Sequence, residues 1–151
     1  MISNYYAAMK TDHAIALIST IRDNANKLIN KELRTRNLLG LTPSHGAILF
    51  ELFHSGIISM KEIAERINRD KSTVTALIKR LMTLGYVEKI RHPNDSRLAL
   101  IRLTKKGLEM KPDFDRISKI LLDRIYKGYS TKDKETIILG LERLLKNLQS
   151  F

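Results

Sequence analysis

The sequence predicts a mainly α fold with one small β-hairpin, an α+β arrangement, and three observations predict it. Apolar residues recur at helical spacing along most of the 151 residues, the period changes once between Tyr86 and Leu103, and capping or helix-closing residues stand at each change.

The first helix is expected from Asp12 to about Leu38, where Ile15, Ile18, Ile21, Ala25, Leu28 and Ile29 share one face and no Pro or Gly intervenes. Gly40 breaks it. Thr42 then offers a cap, and Pro43 falls in the first turn of a second helix, where its missing N–H is no loss. Ile48, Leu49, Leu52 and Phe53 form the buried face of that helix, and Gly56 closes it. Ser59 and Glu62 have capping-box spacing, so a short third helix begins there with Ile63, Ala64 and Ile67 inward. The polar turn Asn68-Arg69 leads to Asp70, the cap of a fourth helix whose inner face is Val74, Leu77, Ile78 and Leu81. Together they make a helix-turn-helix.

Gly85 ends the fourth helix. Two β-prone segments, Tyr86 to Arg91 and Leu98 to Leu103, flank the turn cluster His92-Pro93-Asn94-Asp95-Ser96, which predicts a two-stranded hairpin with a reaching loop. Thr104 caps the next helix, which runs through Leu108, Ile117, Ile120, Leu121 and Ile125, with Pro112 kinking it or beginning its regular part. Gly128 and Tyr129 close that segment, and Ser130 to Asp133 starts a last helix carrying Ile137, Ile138, Leu141, Leu144, Leu145 and Leu148 on one stripe. No repeat or flexible linker interrupts the order, so a single domain over residues 1–151 is expected.

Charge narrows the partner. The chain holds 27 Lys and Arg against 16 Asp and Glu, a net charge of +11. Twelve of those cations and only five anions lie between Ser59 and Lys106, so the middle third carries most of the excess and is where a polyanion would dock. In a helix-turn-helix the second helix enters the major groove of duplex DNA. The candidates for base contact are Ser72, Thr73, Thr75 and Ala76, and Lys79 and Arg80 are placed to meet phosphate. The loop of the hairpin ends at Arg97, a cation suited to the negative potential of the minor groove, with Asp95 placed to orient it by a charge-assisted bond and Arg91 on the adjoining strand.

Leu41-Thr42-Pro43, Asp70 through Thr75, Lys79-Arg80-Leu81, Gly85-Tyr86-Val87, Asp95-Ser96-Arg97 and Leu103 through Gly107 occur in an order and spacing that resembles the multiple-antibiotic-resistance regulator (MarR) family over roughly residues 41–107. The resemblance implies a winged helix-turn-helix with N- and C-terminal dimerisation helices: a DNA-binding region over 41–104 and a helical dimerisation region over 11–38 and 105–151. It implies that Ser72, Thr73, Thr75, Asp95 and Arg97 meet DNA. Position 96 is often basic in the family and is Ser96 here, so this wing tip carries less charge. The first and last helices also carry more apolar surface than a small winged-helix core has room to bury, which argues independently for a homodimer and hence for a pseudo-palindromic operator. Proteins similar to this one release DNA when a small aromatic or anionic effector binds; Tyr5, Tyr6, His13 and His45 are the candidate liners here. Repression is the commoner outcome among similar proteins.

Other classes fit poorly. The chain has no phosphate-binding Gly-rich loop, no zinc-protease or nucleophile-elbow motif and no cysteine, so neither an enzyme nor a cofactor is expected, and four scattered histidines suggest no metal site. Lacking a signal peptide or an apolar run of spanning length, it is expected in the cytoplasm with no membrane partner. The alternative is a winged-helix module that binds protein or RNA without recognising an operator.

Overall fold

The computed structural model describes residues 13–150, so Tyr5 and Tyr6 lie outside the described residues. Seven helices and three strands follow one another among them: α1 (Ala14–Thr35), α2 (Pro43–Ser55), β1 (Ile57–Ser59), α3 (Met60–Arg66), α4 (Lys71–Thr83), β2 (Val87–Arg91), β3 (Ala99–Leu103), α5 (Lys105–Glu109), α6 (Lys111–Ile125) and α7 (Thr131–Gln149). The arrangement is mainly helical with a small sheet, as expected from the change of period.

The capping residues begin the helices assigned to them. Ser59 and Glu62 form a reciprocal box, with the Glu62 N–H donating to Ser59 Oγ at 3.1 Å and the Ser59 N–H to Glu62 Oε2 at 3.2 Å. Asp70 accepts from the Thr73 N–H at 2.8 Å, and Thr104 Oγ1 accepts from the Gly107 N–H at 3.1 Å. Pro112 occupies the first turn of α6, so the stretch after Thr104 is two helices, with α5 stopping before the proline.

The sheet has three strands in the order β1-β3-β2, all antiparallel, where the sequence predicted only the hairpin. Ile58 pairs with Ile101 and Val87 with Leu103. β1 is only three residues long and lies between the end of α2 and the cap of α3, too short to show an alternating pattern. Its partner is more than forty residues away, information that local periodicity does not carry.

Among the described residues, those up to Ile117 form one compact unit. Its core is Ile48, Leu49 and Leu52 of α2, Ile63 of α3, Val74, Ile78 and Leu81 of α4, and Ile58 and Ile101 of the sheet, each no more than 3% exposed. Each such side chain contributes roughly 1.5–3 kcal/mol through its burial. These contacts fix the inner face of α4, and therefore which of its residues face outward. Gly107 completes the unit: a Cβ there would collide with the carbonyl oxygen of Tyr86, so only glycine lets α5 lie against the start of β2.

The second unit begins at Ser118 and holds the end of α6 and all of α7. Ser130 and Asp133 form its capping box, Tyr126 and Tyr129 stack edge to face, and Lys134 lies 5.2 Å from the centre of the Tyr126 ring. No residue of α7 is buried. Ile138, Leu141, Leu144, Leu145 and Leu148 are each 42–58% exposed.

Candidate nucleic-acid interface

The helix-turn-helix is α3 and α4 joined by Ile67 to Asp70. Asn68 takes a left-handed φ of 51°, a conformation that asparagine tolerates better than other side chains, and so turns the chain sharply between the helices. With Val74, Ile78 and Leu81 buried, Ser72, Thr75, Ala76 and Lys79 stand exposed and Thr73 is half-buried. Ser72, Thr73, Thr75 and Ala76 are the residues expected at the bases, and Lys79 is one of those expected at phosphate.

The hydrogen bonds of this face were not foreseen. Asp70 does more than cap α4: Ser72 Oγ donates to its Oδ1 at 2.6 Å and Thr73 Oγ1 to its Oδ2 at 2.7 Å, beside the Thr73 amide bond. The Ser72 hydroxyl and then the Thr73 amide and hydroxyl hold the Asp70 carboxyl far below the usual carboxylate range. The carboxylate is thus ionised at every physiological pH. Thr75 Oγ1 donates to the Lys71 carbonyl at 2.7 Å.

Arg80, expected to meet phosphate, is exposed and makes a contact within the subunit that the sequence does not announce. Its guanidinium folds back onto the turn between α1 and α2, with Nε 3.5 Å from the Gly40 carbonyl oxygen. Gly40 has a φ of 86°, and a Cβ there would strike the guanidinium. Arg80 therefore braces α4 against that turn. The contact links residues forty apart in sequence, and no local pattern announces it.

The wing is β2, the loop over 92–98 and β3. Glu88 pairs with Arg102 across the strands, Arg102 Nε donating to Glu88 Oε1 at 2.7 Å, which holds two of the charges of the region in register. In the loop Asp95 Oδ1 accepts from the backbone N–H of Arg97 at 3.0 Å, and the Leu98 N–H donates to the Asp95 carbonyl at 3.1 Å. The expected bond between the Asp95 carboxylate and the Arg97 guanidinium is not formed. Asp95 instead shapes the backbone of the turn, since a side chain this short reaches the amide two residues on more readily than a guanidinium, and Arg97 is left exposed. Lys71, Lys79, Arg91 and Arg97 have no ion-pair partner among the described residues.

The MarR family model matches residues 41–98, which run from the end of the α1–α2 turn through the helix-turn-helix to the end of the wing loop. The chain belongs to the MarR family. The uncharacterized HTH-type transcriptional regulator YdgJ of Bacillus subtilis is 27% identical to it over 111 residues, 74% of this chain and 68% of that protein. HTH-type transcriptional regulator SarZ of Staphylococcus haemolyticus is 28% identical over 109 residues, 71% of each. In fold the chain is similar to a mutant MarR from E. coli solved in complex with operator DNA, with a TM-score of 0.75 and 23% identity over 86% of this chain and 91% of that one.

Of the effector liners expected from the MarR resemblance, His13 and His45 lie within the described residues. His13 is exposed at the start of α1, and His45 is buried in α2. His45 completes a cap that the sequence reading missed: the Thr42 N–H donates to His45 Nδ1 at 3.0 Å, the role Glu or Gln usually takes three residues after a cap. The motif Thr-Pro-Ser-His at 42–45 could have signalled it. Accepting at Nδ1 requires the neutral ring, whose Nε2 is buried without a partner. Neither of two clefts in the first unit is lined by His13 or His45. The larger, of 340 Å³, lies between α1 and the α1–α2 turn, with Lys27, Asn30 and Arg34 beside Leu33, Leu38 and Gly40.

Burial, and secondarily Arg80, lower the His45 pKa below its ordinary value of 6.5. The folded state then binds fewer protons than the unfolded one, so this contribution to stability is complete above about pH 6.5 and is lost as the pH falls below it. Asp70 acts in a separate window, because its depressed carboxyl contributes above its ordinary value of 3.8 and loses that contribution only in stronger acid. In urea titrations the unfolding midpoint should fall between pH 7 and pH 5, and His45→Gln, which keeps a capping side chain, should flatten that fall. Equal falls in the two proteins would remove His45 from the explanation.

Proposed function

We propose that this chain is a transcriptional regulator that binds double-stranded DNA as a homodimer, with α4 in the major groove and the loop over 92–98 at the minor groove. The DNA-binding region is 41–104, and the helices that lie within 11–38 and 105–151 pair the subunits. Repression follows most simply, since a dimer seated on a pseudo-palindromic operator occludes it. Catalysis forms no part of this reading: the family is one of transcriptional regulators.

One observation carries the reading. The helix-turn-helix and the wing leave Lys71, Lys79, Arg91 and Arg97 without acidic partners, in the stretch of chain that holds most of the excess positive charge. Dimerisation is supported by the uncovered apolar residues of α7 and of the first half of α1, where Ile15, Leu17 and Ile21 are 51–64% exposed. A small anionic or aromatic effector fits the same reading, and the cleft bearing Lys27 and Arg34 beside leucines has the chemistry for it. No helix of the described residues is long and apolar enough to cross a membrane.

Salt tests the electrostatic part. If Lys71, Lys79, Arg91 and Arg97 of each of two subunits meet the DNA backbone, the eight contacts correspond to a loss of roughly 10⁴ in duplex affinity between 50 and 200 mM salt. Fluorescence anisotropy on labelled duplex DNA should show that steep fall. An affinity indifferent to salt would favour the module that binds protein.

A further inference from the structure

The hydroxyl groups of α4 are usually regarded as adaptable, able to donate to or accept from whichever base edge they meet. Here they are not free to choose. The Ser72 and Thr73 hydroxyl protons both lie on the Asp70 carboxylate, at 2.6 and 2.7 Å, and the Thr75 proton lies on the Lys71 carbonyl. Asp70 is itself fixed, because the Thr73 backbone N–H anchors its Oδ1 at the cap. Each bond to the carboxylate is charge-assisted and short, of the kind that persists when a competing neutral partner is offered.

A hydroxyl that donates to a carboxylate keeps its lone pairs and becomes a better acceptor, because the two bonds polarise one another. We infer that α4 reads its site as an acceptor surface: Asp70 holds the hydroxyl protons of Ser72 and Thr73, whose oxygens then accept from the exocyclic amines of adenine or cytosine and reject guanine. The inference rests on the reading of α4 as the helix in the major groove and specifies what it recognises there.

The base edges make the discrimination concrete. Adenine presents its N6 amine and cytosine its N4 amine in the major groove, whereas guanine presents only the acceptors O6 and N7. Against guanine, oxygen would face oxygen, and the Asp70 charge would add its own repulsion. An A·T pair offers a second match, since its thymine methyl suits the methyl groups of Thr73, Thr75 and Ala76. Asp70 is therefore a positioning residue: it acts on specificity through Ser72 and Thr73. The pattern also explains why a helix without an Arg or Asn at its start can select a sequence.

The test is selection from a pool of randomised duplexes with the full-length protein, repeated with Ser72→Ala, Thr73→Val and Asp70→Asn. Positions whose preference relaxes in Ser72→Ala or Thr73→Val are those the hydroxyls read, and the unmodified protein should select adenine or cytosine there. Replacing that adenine by a purine nucleoside lacking the 6-amino group should weaken binding roughly tenfold for the unmodified protein and much less for the matching variant. Asp70→Asn still caps the helix, but its amide donates to a hydroxyl and frees that proton, so guanine should become admissible at the same positions. Selection of guanine by the unmodified protein, or variants that relax no position, would overturn the inference and leave DNA binding standing. Failure to enrich any duplex would overturn both. Ser72→Ala removes a hydroxyl and Thr73→Val replaces one by a methyl group, and both keep the Thr73 N–H bond to Asp70, so the result does not depend on the folding of Asp70→Asn.

Discussion

Arg97→Ala is expected to lower the affinity for an operator duplex roughly tenfold or more while the mass of the dimer stays unchanged, an effect of the size that a single specific groove contact supports. The loop over 92–98 contains one Lys or Arg, and it is Arg97. Serine at 96 supplies no second cation to compensate. The Arg97 side chain is exposed and bonds through its backbone alone, to Asp95, so truncating it removes no contact that holds the fold. The salt dependence should also become shallower, because each lost phosphate contact reduces the slope by about one. Titration by gel shift, with sedimentation to check the dimer, reads both quantities. Unchanged affinity would remove the wing from the interface.

The second large effect concerns α7. Leu141→Glu combined with Leu145→Glu should convert the dimer to a monomer and lower operator affinity by roughly 10² to 10⁴, the gain that two linked binding units supply over one. Leu141 and Leu145 stand one turn apart, 42% and 51% exposed, so new carboxylates there disturb no buried packing within the subunit. Facing a partner's apolar stripe, they would be desolvated without counter-charges. Analytical ultracentrifugation gives the mass directly. A double variant that remains dimeric would place the dimer contact elsewhere.

Local signals were legible in the sequence, and long-range ones were not. Asp70, Ser59 and Thr104 each act on an amide three residues away, so their spacing alone announces the helices they begin. The inner face of α4 follows from a 3.6-residue period, which also fixes which residues point outward. The third strand was missed because three residues show no period and its partner is remote in sequence. The charge of Arg80 is visible in the sequence, whereas the left-handed Gly40 that its guanidinium lies against is forty residues upstream. Asp95 and Arg97 were recognised as a pair, but their spacing could not say whether the carboxylate would meet a guanidinium or an amide. Ser72 is exposed and Thr73 half-buried at the start of α4, and the direction of their hydrogen bonds is visible only with Asp70 beside them.

Footprinting on the DNA beside the chain's own gene tests the central claim most directly. A homodimer with α4 in the major groove predicts two protected segments related by two-fold symmetry, their centres about one helical turn apart, with protection lost at high salt. Uniform absence of protection at protein concentrations where the dimer is intact would contradict it.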